Sequence, residues 1–182
     1  MSRDAQRAKV YAAEGFVRIM FDRAAERGDP VVEFFGTQLT LPPEARFGSV
    51  ASVQTYADDV LALAAVRQRW PAAGPVRVRA RRGATAAHYE GTAAHCERAG
   101  GSEPGATGAG YAPTGTIAVP DDRTAWALRE LVVLHEIAHH LCDADPPHGP
   151  EFVATICELA AVVMGPEVAH VLRVVYAREG VR

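Results

Sequence analysis

The pentapeptide HEIAH, at residues 135–139, constrains this chain of 182 residues more than any other part of its sequence. It lies in a stretch from about Asp122 to Leu141 whose apolar residues recur at helical spacing. Residues four apart on a helix lie on the same face, about one turn apart. We therefore expect the imidazoles of His135 and His139 to project side by side from one helix, where both can bind a single metal ion.

The glutamate that follows the first of these histidines predicts the chemistry of the site. Glu136 directly follows His135, so its carboxylate lies near the expected ion without binding it. From there it can take a proton from a water molecule that the metal activates. Because imidazole nitrogen is a good zinc ligand, the motif predicts a Zn²⁺-dependent hydrolase with Glu136 as its general base.

A catalytic zinc site needs a third protein ligand and an open fourth position. His148 is the best candidate, because it follows His139 after a loop with two prolines and stands at the start of the next predicted helix. A helix, a tight turn and a returning helix would bring it back over the face of the first two histidines. Glu151 and Glu158 remain competing ligands. His140 is adjacent to His139 and points about a hundred degrees away, so we expect it beside the site or at the surface.

The sequence HEIAHH, followed by HGPEF, resembles the SprT-like branch of the zincin metallopeptidases, in which HExxH is followed by a third histidine in an HGxxF-type segment. The matching positions here are His135, Glu136, His139, His148, Gly149 and Phe152. Together with RGATAAHYEG, TGTIAVP and ALRELVVLHEIAHHL, these segments also resemble a family of short bacterial proteins described as metallohydrolases. That broader resemblance covers the chain from about Arg81 to its C-terminus.

The resemblance implies an α+β, zincin-like fold, in which a small twisted sheet packs on the HExxH helix and further helices flank it. It also implies a peptide or protein substrate that pairs with an edge strand beside that helix, either 116–119 or 84–90. SprT-like proteins that act on DNA-linked substrates often carry a cysteine-rich zinc ribbon, which is lacking in this chain. The resemblance therefore supports the catalytic fold and not a role in DNA repair.

Length and composition narrow the remaining classes of protein. A chain of 182 residues suggests a single domain, residues 1–182, and its net charge of −3 gives no support for a nucleic-acid partner. Cys96, Cys142 and Cys157 form no CxxC pair, which favours reduced thiols in the cytoplasm. The N-terminal residues MSRDAQRAKVYAAEG lack the apolar run of a signal peptide, and no apolar stretch is long enough to cross a membrane. The oligomeric state stays open.

The pattern along the chain predicts the following elements, with a flexible Gly-rich loop at 98–116 inside the domain. Helices are expected at 4–27, 52–70, 122–141, 150–164 and 167–178, and strands at 31–41, 76–81, 84–90 and 115–119. A turn at Arg82-Gly83 would lead from the second of these strands into the third. Asp121, Asp122 and Thr124 are candidate N-caps for the HExxH helix.

Several other residues have an interpretation that the sequence leaves open. Tyr89 and Tyr111 could stabilise an oxyanion, but the spacing selects neither. Structural or surface roles are expected for a further set of side chains: His88, His95, His170, Cys142, Cys157 and the basic residues Arg77, Arg79, Arg81 and Arg82. Two alternative functions also remain, a hydrolase of a non-peptide amide and a non-catalytic metal-binding module. The second would close the fourth metal position with a protein group such as Cys142 or Asp145.

Overall fold

The structure is a computed structural model that describes residues 4–81, 86–91, 115–120 and 128–181. Its helices are α1 (Arg7–Arg27), α2 (Val50–Ala62), α3 (Ala64–Arg69), α4 (Glu130–Leu141), α5 (Pro150–Val163) and α6 (Pro166–Arg178). Its strands are β1 (Val31–Phe34), β2 (Thr37–Thr40), β3 (Val76–Arg81), β4 (His88–Gly91) and β5 (Gly115–Pro120). The predicted α+β class is confirmed. No helix in the described ranges is long and apolar enough to cross a membrane.

The three-stranded sheet has the order β3-β5-β4, with β3 parallel and β4 antiparallel to β5. The sequence places the third predicted strand directly after the turn at Arg82-Gly83, but β5 separates β3 from β4. The physical reason lies in the side chains, because nearly all of β5 is buried whereas β3 alternates between buried and exposed residues. The prediction that 116–119 could be an edge strand is wrong, and β4 is the edge beside α4 among the strands that the structure describes.

Two predicted elements are each divided in two. The strand expected at 31–41 is an antiparallel hairpin, whose two-residue turn has positive φ at Phe35 (47°) and Gly36 (83°). The sequence did not predict this turn because β-branched and aromatic residues, which favour strands, stand on both sides of it. The helix expected at 52–70 begins at Val50, after a capping box between Ser49 and Ser52, and is interrupted at Leu63.

The HExxH helix, α4, begins later than predicted. Arg129 is extended (φ −108°, ψ 150°) and forms an isolated β-bridge with Arg46, so the first helical residue is Glu130. The three candidate N-caps lie outside the described residues. The predicted loop at 98–116 also lies outside them, apart from Gly115 and Thr116, which begin β5.

Helix α4 lies at the centre of the fold, in contact with α2, α5, β4 and β5. Every residue from Glu130 to Ala138 is buried, including both polar residues of the motif in that range. A helix buried on nearly all sides has few positions where it can slide or rotate, because its neighbours pack closely against it. The fold therefore holds the motif rigidly.

An ionic cluster anchors the N-terminal end of α4. The guanidinium of Arg129 is only 4% exposed, and it donates to Glu44, to Asp22 (3.0 Å) and to the carbonyl of Arg18 (3.3 Å). The Glu44 side chain is 2% exposed and also ion-pairs with Arg129. These contacts join the start of α4 to α1 and to the segment after β2.

Replacing Arg129 with methionine is expected to lower the free energy of unfolding by about 3–5 kcal/mol, because Glu44 stays buried without its partner. The matched control is Arg46→Met, which removes an exposed ion pair with the same Asp22 and is expected to cost at most about 1 kcal/mol. Denaturant unfolding of both variants measures the difference. Equal effects would show that burial of Glu44 contributes nothing to the stability.

Candidate metal centre

Three histidine side chains meet at the C-terminal half of α4. The Nε2 atom of His135 lies 3.2 Å from Nε2 of His139 and 3.3 Å from Nε2 of His148. The ligand atoms of all three lie within 4.8 Å of one another. The first two come from one face of α4, as the spacing predicts, and His148 comes from the loop that leads into α5. The structure thus brings together the three residues that the sequence selects as metal ligands.

Two carboxylates accept hydrogen bonds from the Nδ1 atoms of His135 and His148, on the side of each ring opposite Nε2. Nδ1 of His135 donates to Oε1 of Glu14 at 2.8 Å, and Nδ1 of His148 donates to Oδ2 of Asp4 at 2.7 Å. An ionised carboxylate can only accept, so the proton of each neutral imidazole is assigned to Nδ1. Both Nε2 atoms then present lone pairs to the same point, an arrangement that suits a cation and not a hydrogen bond between them.

The distances fit a tetrahedral metal. Nitrogen ligands at about 2.0–2.1 Å from a tetrahedral zinc ion lie about 3.3–3.4 Å apart. The two Nε2–Nε2 distances from His135 are 3.2 and 3.3 Å. These two distances suit a metal ion shared by the histidines, and the ligand atoms of all three lie within 4.8 Å of one another.

The HGPEF segment, residues 148–152, packs against the three histidine rings. Phe152 is fully buried, and its ring lies 4.3 Å from that of His139 and about 5 Å from those of His135 (4.9 Å) and His148 (5.1 Å), measured between centroids. A Cβ at Gly149 would lie 3.1 Å from the carbonyl oxygen of Pro146, so the small residue allows this tight turn. The close turn and the buried Phe152 ring, which contacts all three histidine rings, place His148 against α4.

Burial keeps two of the rings neutral. Desolvation, aided by the neighbouring His135 and His148, lowers the pKa of His139 to about 2. Desolvation also lowers the pKa of His148, although Asp4 opposes it. For His135, burial favours the neutral form, but the carboxylate of Glu14 outweighs it and raises the pKa. Neutral imidazole is the form that binds a metal.

Glu136 lies beside the three histidines without joining them. Its side chain is buried, and burial raises its pKa, whereas the neighbouring His135 and the backbone N–H of Tyr89 act to lower it. Glu136 lines a cleft of about 340 Å³ together with His139 and His148. His88, on the edge strand β4, lines the same cleft, and the sequence did not predict it there.

Other candidates from the sequence lie elsewhere. Glu158 forms an exposed ion pair with Arg69 on α3 (2.6 Å), and Glu151 is exposed in the first turn of α5. His140 is fully buried on another face of α4, where its Nε2 lies 2.8 Å from the carbonyl oxygen of Gly74. Neither glutamate belongs to the histidine cluster among the residues that the structure describes.

The two tyrosines that could stabilise an oxyanion have different outcomes. The hydroxyl of Tyr89 lies 3.1 Å from Nδ1 of His140, and its ring packs so closely that a Cβ at Gly115 would lie 2.4 Å from that hydroxyl. These contacts pack the Tyr89 side chain, and because the residue also lines the cleft, its stabilisation of an oxyanion stays a prediction. Tyr111 lies outside the described residues, as does His95.

Four residues near the N-terminus lie in or beside the site, although the sequence did not indicate them. Asp4 precedes α1, and Arg7, Tyr11 and Glu14 belong to α1. A signal existed only for Glu14, an acid within the apolar stripe Val10, Ala13, Val17 and Met20. Its carboxylate is 1% exposed and also accepts from the hydroxyl of Tyr176 at 2.8 Å. A buried acid on an apolar stripe needs partners, and here one partner is His135.

Comparisons of this chain with protein-family models, curated proteins and solved structures found no match.

The carboxylate of Glu14 gives a prediction about metal affinity. Glu14→Gln keeps the size and one acceptor oxygen but removes the charge that makes His135 a stronger base. We expect zinc affinity, measured by chelator competition, to fall about 10–100-fold. Tyr176→Phe is the control, since it leaves the contact between Glu14 and His135 in place. Unchanged affinity in Glu14→Gln would contradict the role assigned to this carboxylate.

Proposed function

We propose that this protein is a zinc-dependent hydrolase of the zincin type, most simply a metallopeptidase, with His135, His139 and His148 as zinc ligands. One observation carries the proposal, namely the convergence of three histidines beside the buried carboxylate of Glu136, with Nε2 of His135 at tetrahedral spacing from the Nε2 atoms of the other two. The resemblance of HEIAHH and HGPEF to the SprT-like branch supports the same conclusion.

The residues of the cleft have different roles in the proposed reaction. A zinc ion held there supplies Lewis-acid activation of water and of the scissile carbonyl. Glu136, adjacent to the ligands, takes the proton of the attacking water and passes it to the leaving nitrogen. The backbone N–H of Tyr89 donates a hydrogen bond to this carboxylate. Strand β4 forms the wall along which an extended peptide would lie by strand addition.

Two features favour an enzyme over a structural metal site. A structural zinc has four protein ligands, but the cluster contains three among the residues that the structure describes. Cys142 and Asp145, the possible fourth ligands, are not members of it. A structural site would also have no use for a buried carboxylate at Glu136. A non-peptide amide as the substrate is the second candidate, since the same chemistry would cleave it.

Metal content and an unbiased activity screen test the proposal. Carefully purified protein should contain about one zinc per chain, measured by elemental analysis, and the zinc form should cleave members of a peptide library identified by mass spectrometry. Absence of stoichiometric metal would contradict the zinc site. Cleavage of N-acyl amines with no cleavage of any peptide would favour the non-peptide hydrolase. The cytoplasm remains the proposed compartment, consistent with Cys142 and Cys157 as free thiols.

A further inference from the structure

Helix α1 forms one wall of the metal cleft. Arg7 and Tyr11 lie one turn apart on this helix and line the cleft with Glu136, His139 and His148. The Tyr11 ring packs 5.2 Å from the ring of His135 and 5.6 Å from that of His148, between centroids. The guanidinium carbon of Arg7 lies 5.5 Å from the centroid of the same Tyr11 ring. Tyr11 thus connects the guanidinium to the metal-binding histidines.

Within the described part of the chain, Arg7 interacts with Tyr11, through the ring and through a side-chain hydrogen bond, and with no carboxylate. Its side chain forms no ion pair there, and it is the only arginine or lysine among the residues that line the cleft. The nearest acid in sequence, Asp4, already accepts from His148. A guanidinium that packs on an aromatic ring has lost part of its conformational entropy before a ligand binds. Binding then costs less entropy, so the affinity is higher.

From these contacts we infer that Arg7, supported by Tyr11, binds a carboxylate of the substrate close to the scissile amide. This inference rests on the proposed function and names its substrate class, peptides or N-acyl amino acids with a free carboxylate next to the cleaved bond. The planar fork of arginine matches a carboxylate with two parallel hydrogen bonds. The acidic residues Asp4, Glu136 and Asp143 in the same cleft repel a doubly charged phosphate more strongly than a singly charged carboxylate.

Binding of zinc-directed inhibitors tests the inference without a known substrate. The probes are monohydroxamates of dicarboxylic acids with two to four methylene groups, each paired with an analogue whose carboxylate is replaced by a carboxamide. On the zinc-loaded protein we expect the acid to bind about tenfold more tightly than its amide at the best chain length, the range of a charge-assisted hydrogen bond. Calorimetry measures both affinities.

Arg7→Gln should remove this advantage and leave the affinity of the amide probes unchanged. Arg23→Gln is the matched control, because it makes the same change at an exposed position of α1 that does not line the cleft. Circular dichroism and zinc content verify that both variants are folded and loaded. An acid preference that persists in Arg7→Gln, or is absent from the wild type, would overturn the inference while leaving the zinc hydrolase intact.

Failure of every hydroxamate to bind the zinc form would instead contradict the open metal site, and the inference would fall with it. Peptides that displace the amide probe identify the source of the carboxylate. Competition by a neutral peptide with a free C-terminus indicates the terminal carboxylate. Competition by an amidated peptide with one aspartate indicates an acidic side chain.

Discussion

Replacing Glu136 with glutamine is expected to lower the rate of hydrolysis by about 10²–10⁴, the range for loss of a general base. Glutamine keeps the size of the buried side chain but cannot accept the proton of the attacking water. Zinc content and the unfolding transition should stay nearly unchanged, because Glu136 is not a member of the histidine cluster. The rate is measured on the best peptide found in the library screen, under single-turnover conditions.

The structure also supplies the right comparison for this variant. His88 is the one histidine among the residues that line the cleft, within the described ranges, that is not a member of the histidine cluster. His88→Gln should change the rate far less than Glu136→Gln does. The reverse order would assign the proton transfer to His88, and full activity in both variants would exclude either as the base.

Replacing His148 with alanine is expected to weaken zinc binding by more than about 100-fold, beyond the effect of losing a residue that only orients a ligand. Two ligands on one helix would remain, and His135 and His139 alone leave half of a tetrahedral site to water. Competition with a chelator of known affinity measures the loss. The apo form of the variant should still fold, since Phe152 and the packing of α5 on α4 do not depend on this ring.

Glu158→Ala is the matched comparison for His148→Ala. Glu158 is the alternative ligand that the sequence left open, and in the structure it pairs with Arg69 at the surface. Its removal should leave zinc affinity within the error of the measurement. A larger loss of zinc in Glu158→Ala than in His148→Ala would place the chain with glutamate-liganded zincins and contradict the SprT-like comparison.

The sequence alone determined the features that depend on neighbours along the chain. Helical geometry places His135 and His139 on one face at any position in a fold, so the spacing of HEIAH predicts a pair of ligands locally. Pro150 marks the start of α5, Gly28 ends α1, and the alternation of residues 76–81 predicts β3, each through a backbone preference of the residues themselves.

Boundaries and strand pairing depend on partners that are distant in sequence. Arg129 has a helical pattern on its C-terminal side, yet it remains extended. Backbone hydrogen bonds from Phe47 to Leu128 and from Glu130 to Ala45 pair the segments on either side of it, and Glu44 binds its side chain. The position of β5 between β3 and β4 likewise follows from burial of its side chains on both faces. No local pattern can state which strand takes the centre of a sheet, because burial is a property of the whole fold.

The completion of the site was decided by tertiary structure. Glu14 reaches His135 across 121 positions of sequence, and Asp4 reaches His148 across 144. Only the packing of α1 against the rest of the fold makes these contacts, and no motif spacing encodes them. The sequence therefore identified the three histidines that could hold a metal ion, whereas the fold supplied the carboxylates that orient two of them and the cleft wall with Arg7 and Tyr11. The reason is physical: ligand spacing on a helix is a local property of the backbone, but desolvation, orientation and charge pairing require residues brought together from opposite ends of the chain.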